Sequence, residues 1–146
     1  MATYKFKFQK VLDYRKSIEE QKKLVLSKSL KKYFDEKKAL ESLYSSLYKS
    51  NEILQQQAIN GTTIAELRNI HEEQEFYREG IKQKNIEVAK AEEELKRSRN
   101  DLIKAMKNKK ILEKLNEIQY DQFLYNEKQK FEKQIDELTA FKYSKK

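Results

Sequence analysis

The chain has no cysteine, no proline and no tryptophan, and only two glycines and one histidine in 146 residues. Without cysteine there is neither a disulfide framework nor a thiolate metal site, a composition that suits a reducing compartment. Two isolated glycines, Gly61 and Gly80, are too few for a phosphate-cradling loop, and no Gly-x-x-x-x-Gly-Lys-Ser/Thr stretch occurs. His71 stands alone, with no second ligand or nucleophile at metal-site or catalytic spacing. The acidic run Glu92-Glu93-Glu94 would wrap around a helix as a solvated face and is not an acid/base pair. No run approaches the ~18 consecutive apolar residues of a membrane span, and the opening MATYKFKFQK has no apolar stretch like that of a signal peptide. The expectation is a cytoplasmic, non-enzymatic chain without cofactor or metal.

What is present is charge and helical periodicity. Charged residues make up 38% and apolar residues another 38%, with a mean hydropathy of −1.01. A compact globular domain is usually more apolar, near 45–50%. Net charge is +8 and is laid down in blocks. Residues 1–60 carry 13 Lys/Arg against 7 Asp/Glu, residues 61–95 carry 5 against 9, and residues 96–114 carry 8 against 2. The remainder balances at 6 against 6.

Seven-residue spacing links Leu12, Glu19, Leu26, Tyr33, Leu40, Leu47 and Leu54, with Phe8, Leu30, Leu43 and Tyr44 widening the face. A heptad pattern held this long predicts a left-handed coiled coil. It stops at Asn60-Gly61, a pair that tolerates the left-handed backbone at a helix C-terminus. Thr63-Ile64-Ala65-Glu66 then reads as a capping box. A second stripe follows, pairing Leu67 with Ile70, Ile81 with Lys84, Val88 with Ala91, Leu95 with Ser98 and Leu102 with Ala105. Near Lys109 its register shifts, continuing through Ile111, Leu115 and Ile118 and then Leu124, Phe131 and Leu138.

The predicted fold class is all-α: one coiled-coil domain over 1–146, with two long helices forming an antiparallel hairpin. Helix one spans about 6–58, the turn about 59–62 and helix two about 63–142. At ~1.5 Å per residue the helices would be roughly 80 and 120 Å long. Folding about residue 60 sets position i near 120−i, so acidic 82–95 lies against basic 25–38. Helix two then overhangs by roughly 40 Å, exposing Tyr120, Leu124, Phe131, Ile135, Leu138 and Phe141 as a binding stripe. Homodimer packing or a frayed tail are the plainer alternatives. With Lys84, Ser98 and Lys109 in the seam, the isolated chain is expected to be an easily melted monomer.

Phe6-x-Phe8-x-x-Val11-Leu12-x-x-Arg15-x-x-x-Glu19 resembles the opening of the flagellar export protein FliJ family. So does the block Arg99-x-x-Leu102-x-x-Ala105-x-x-x-Lys109-Lys110-x-Leu112-Glu113-Lys114-Leu115, with Glu127 and Asp136-Glu137 after it. Between them, Asn60-Gly61 and Tyr77-x-x-x-Ile81 fall where the family has its turn and an aromatic-aliphatic step. Lys84, where many relatives carry glutamine, and Gly80 depart from the pattern. The resemblance implies a stalk component of the flagellar type III export apparatus that inserts in a hexameric export ATPase ring and promotes its assembly and activity. It also implies contact with a membrane export gate protein, binding of export chaperones, and a position at the inner face of the cell membrane at the flagellar base. On that analogy Phe8, Leu12, Arg15, Arg99, Lys109, Lys110, Leu112, Leu115, Leu124, Phe131 and Leu138 are the expected ring contacts. From the 120−i register, Tyr44, Tyr48, Phe76, Tyr77 and Gly80 form an expected gate-contacting patch; the plainer reading makes them seam and flank residues. A basic nucleic-acid-binding or generic scaffold coiled coil, and the stalk of a virulence-type secretion or rotary ATPase, are the alternatives. Nucleic acid is not the expected partner.

Overall fold

The structure, a computed structural model, describes residues 2–145. It contains two helices, α1 (Gln9–Asn60) and α2 (Ile64–Ser144), and no strand among the described residues. The absence of proline lets helices of 52 and 81 residues run unbroken. The stop between them is local chemistry. Gly61 takes φ +86°, the left-handed conformation that ends α1 without a Cβ penalty. The Thr63 hydroxyl then accepts from the Glu66 N–H at 3.2 Å, and the Leu67 N–H reaches the Thr63 carbonyl at 3.1 Å. The other half of the expected capping box differs, because the Glu66 carboxylate accepts from the Thr62 hydroxyl at 2.5 Å. The helices begin and end a few residues from the expected bounds. The main difference is at the N-terminus, where residues 2–8 are not helical.

The chain divides into two compact units, a turn unit of residues 22–102 and a terminal unit formed by residues 2–21 with 103–145. In each, α1 and α2 pack antiparallel. In the turn unit α2 buries Ile70, Gln74, Ile81, Ala91, Leu95 and Ser98, with Tyr77, Lys84 and Val88 half-buried between them. Intervals of three and four along this series make a heptad seam. Polar seam residues find partners across it. The Gln74 amide donates to Asn51 Oδ1 at 2.8 Å, and Ser29 and Ser98 hydroxyls meet at 2.8 Å while Ser98 donates on to the Glu94 carbonyl. Lys84 Nζ reaches Glu36 at 2.8 Å and Glu87 at 2.9 Å. Lys32 meets Glu94 at 3.3 Å, both exposed, a pair worth ~0–1 kcal/mol.

These contacts correct the register. Ser29 with Ser98, Lys32 with Glu94, Leu43 with Gly80 and Asn51 with Gln74 add to 127, 126, 123 and 125, where the expected sum is 120. Only Glu36–Lys84, joined by two long side chains, meets the simpler rule. The cause is the turn: α1 runs to Asn60 and α2 starts at Ile64, so the hairpin centres near Thr62. The charge blocks are not matched uniformly in this register. Lys32–Glu94 has the expected sign, but Glu36–Lys84 carries the opposite one.

In the terminal unit the seam holds Leu12, Glu19 and Ala105, followed along α2 by half-buried Lys109, Leu112, Asn116, Gln119 and Phe123. The three-four spacing passes through Lys109 without interruption, so the helix does not slip. What changes there is where the apolar residues lie. Ile111, Ile118 and Leu124 sit off the seam and are exposed. Glu19, 4% exposed, fills its core position by pairing with Lys109 Nζ at 2.6 Å, which explains a lone carboxylate in an otherwise apolar file.

Candidate functional site

The N-terminal segment covers part of what the sequence predicts to be free. Tyr4 donates its hydroxyl to Asn116 Oδ1 at 2.6 Å. Its ring meets Tyr120 edge-on at 5.2 Å and Phe123 at 5.5 Å. Phe6 is buried, its ring 5.9 Å from that of Phe8, and the Gln9 N–H bonds the Phe6 carbonyl. Tyr120 is therefore partly capped within the chain. Tyr4, Asn116 and Phe123 are missing from the predicted site residues. The signal was present in Tyr4-Lys5-Phe6-Lys7-Phe8, whose strict alternation belongs to extended backbone and not to a helix start.

Beyond this cap α2 runs uncovered: every residue from 128 to 145 is exposed. Leu124, Phe131 and Leu138 follow the seam position of Phe123 by one place, turned about 100° from it. Phe131 and Leu138 are 63% and 68% exposed, and Ile135 and Phe141 are exposed beside them. An open cleft of about 560 Å³ lies at the start of this stripe, lined by Ala2, Phe123, Leu124, Glu127, Lys128 and Phe131. The site is thus an apolar ridge edged by lysines and carboxylates.

The other expected ring contacts do not join that ridge. Leu12 is buried, Lys109 is held by Glu19, and Leu112 and Leu115 are half-buried. Phe8 is about one-third exposed with Lys7 Nζ 5.7 Å from its ring centre, and Arg15 leans over Tyr14. Lys110, in the terminal unit, and Arg99, in the turn unit, are solvent-exposed.

The aromatic patch in the turn unit does not converge. In a heptad pair, residues one place after a seam position line one edge and those one place before line the other. The contact of Lys32 with Glu94, each just before a seam residue, shows that the preceding edges face each other. Tyr44 and Tyr48 follow Leu43 and Leu47, whereas Phe76 precedes Tyr77, so they stand on opposite edges. Phe76 and Tyr77 rings are 6.0 Å apart, and the Tyr77 hydroxyl donates to Glu73 at 2.9 Å, which holds its pKa above the usual phenol value. Gly80 faces inward: a methyl built on it would lie 3.4 Å from Leu43 Cδ1. Its neighbour across the seam is Leu43 of the same chain, at a distance a methyl would also allow.

Among the described residues no group of three or more His, Asp or Glu could hold a metal ion, and no helix is long and apolar enough to cross a membrane. The fold is a two-helix coiled-coil hairpin. The family model described as flagellar FliJ protein matches residues 4–146, and the chain belongs to that family. No curated protein and no solved structure matches it. It is a component of flagellar protein export.

Proposed function

We propose that the chain is a non-enzymatic stalk of the flagellar type III export apparatus, inserting the uncovered end of α2 in the hexameric export ATPase ring and promoting its assembly and activity. The observation that carries this reading is the ridge of Leu124, Phe131 and Leu138, left in water along the stretch of α2 that α1 does not cover. Exposed apolar surface rimmed by polar residues is the form taken by helix-in-groove partners. Contact with the membrane export gate and with export chaperones would place the chain in the cytoplasm at the inner face of the membrane. For the gate, the edge carrying Tyr44 and Tyr48 and the edge carrying Phe76, beside the seam residue Tyr77, are separate candidate contacts.

The test is Phe131→Asp with Leu138→Asp, read by stimulation of the purified export ATPase and by co-sedimentation with it. Both positions are exposed, so helicity by circular dichroism should be unchanged while stimulation and binding fall at least about tenfold, given ~1.5–3 kcal/mol per buried large apolar side chain. Full stimulation by the double variant would refute the proposed insertion. For the gate, Tyr44→Ala and Phe76→Ala measured separately should show which edge binds; retention by both would exclude the aromatics.

A further inference from the structure

Ile103, Lys107, Lys110, Ile111, Lys114 and Ile118 of the terminal unit form a surface that insertion of the α2 end does not use. At about 100° per residue these six fall within one arc roughly 100° wide. All are exposed, the three isoleucines at 48%, 66% and 49%. Packed Ala105, Lys109, Leu112 and Asn116 lie on the other side of the same helix, roughly 180° round, so α1 does not overlie the strip. None of the six is acidic, and among the described residues none of its three lysines has a carboxylate within salt-bridge distance. Glu117 borders the arc and Asp121 continues its line, which sets the C-terminal limit of the positive stretch.

The combination selects the partner. A merely solvated helix face has no need of three aligned isoleucines, and lysines alone would suit any polyanion. Lysine stems can lie along an apolar layer while their ammonium groups reach a charged boundary. A helix with lysines and aliphatic side chains on one face meets those conditions in the plane of an anionic bilayer. Duplex nucleic acid offers phosphates, but contacts to its backbone are polar and leave the isoleucines in water. We propose that this face of α2 binds an anionic phospholipid surface directly, the isoleucines entering the headgroup layer and Lys107, Lys110 and Lys114 meeting lipid phosphates. The site is independent of the ATPase ridge, and the contact should be reversible and salt-sensitive.

The full chain should co-sediment with phosphatidylcholine vesicles containing about 30% phosphatidylglycerol, and not with phosphatidylcholine alone. Lys107→Glu with Lys114→Glu should weaken this at least about tenfold, since each lysine near an anionic surface contributes about a factor of five. Ile111→Ser with Ile118→Ser should weaken it comparably, with helicity unchanged in both variants. Failure to bind anionic vesicles overturns the proposal, as does binding unaffected by either pair. Loss with the lysine pair alone, together with equal capture of a DNA duplex, assigns the strip to nucleic acid and also overturns it. Because none of these readouts involves the ATPase, loss of the stalk reading leaves this result intact.

Discussion

Gly80→Ala offers the sharpest test of how the hairpin packs. Glycine in a helix interior costs about 0.8–1 kcal/mol relative to alanine. The new methyl would lie 3.4 and 3.5 Å from the two terminal carbons of Leu43, at ordinary van der Waals distance, so no atom must move. Those contacts add a few tenths of a kcal/mol at ~0.1–0.2 per atom pair. The substitution should therefore stabilise the chain by about 1 kcal/mol, raising the urea midpoint followed by circular dichroism by about 0.5 M. Gly61→Ala is the matched opposite. Nothing lies within 4 Å of its would-be Cβ, yet φ is +86°, so it should destabilise by about 1–2 kcal/mol. If Gly80→Ala lowers the midpoint, Leu43 packs on Gly80 too tightly to admit a methyl, and the seam is closer than 3.4 Å allows. If it raises the midpoint while abolishing gate binding, Gly80 serves an external partner after all.

The Glu19–Lys109 pair should behave as a core ion pair: Lys109→Ala should cost about 3 kcal/mol in chemical denaturation by taking the ammonium from a nearly dry carboxylate. Glu19→Leu with Lys109→Leu should be neutral or stabilising; equal destabilisation by the double variant would show the pair to be a net gain. In the turn unit, hydrogen bonds from Lys84 first to Glu36 and then to Glu87 raise the lysine pKa above 10.5, while the Lys84 contact holds Glu87 below 4.5. Stability from Glu87 is thus fully present above 4.5 and lost as pH falls through its lower folded value; that from Lys84 is present below 10.5 and lost as pH rises through its higher one. Lys84→Met should flatten both limbs of a melting-temperature profile, and an unchanged profile would exclude the triad. Tyr4→Ala removes the hydroxyl's contacts to the Asn116 side chain and carbonyl and two ring contacts, so it should speed proteolytic removal of residues 2–8 without altering melting of the turn unit. An unchanged cleavage rate would mean Tyr4 does not hold the segment.

Much of the architecture was legible because it is local. Heptad spacing from Leu12 to Leu54, the missing prolines and the pair Asn60-Gly61 ahead of Thr63 each act within a few residues, and they were enough to call for two long antiparallel helices. The uncovered stripe through Leu124, Phe131 and Leu138 was equally readable, since its spacing needs no partner to be seen. Register was not. Moving the hairpin centre from residue 60 to Thr62 changes what faces Gly80 from Leu40 to Leu43, and sequence periodicity is blind to such a shift between two repeating stripes. The aromatic patch dissolved for the same reason, because which edge a side chain lines depends on how both helices are turned together.

Sequence alone therefore determined the helices, their break and the presence of a spare apolar face. Tertiary packing decided that Glu19 is a core residue through Lys109, that Gly80 faces Leu43, and that Tyr4 caps Tyr120 and Phe123. Helix formation is governed by neighbours three and four residues away. The decisions left to packing join residues between 37 and more than a hundred places apart, and their free energy exists only once the chain has folded back on itself.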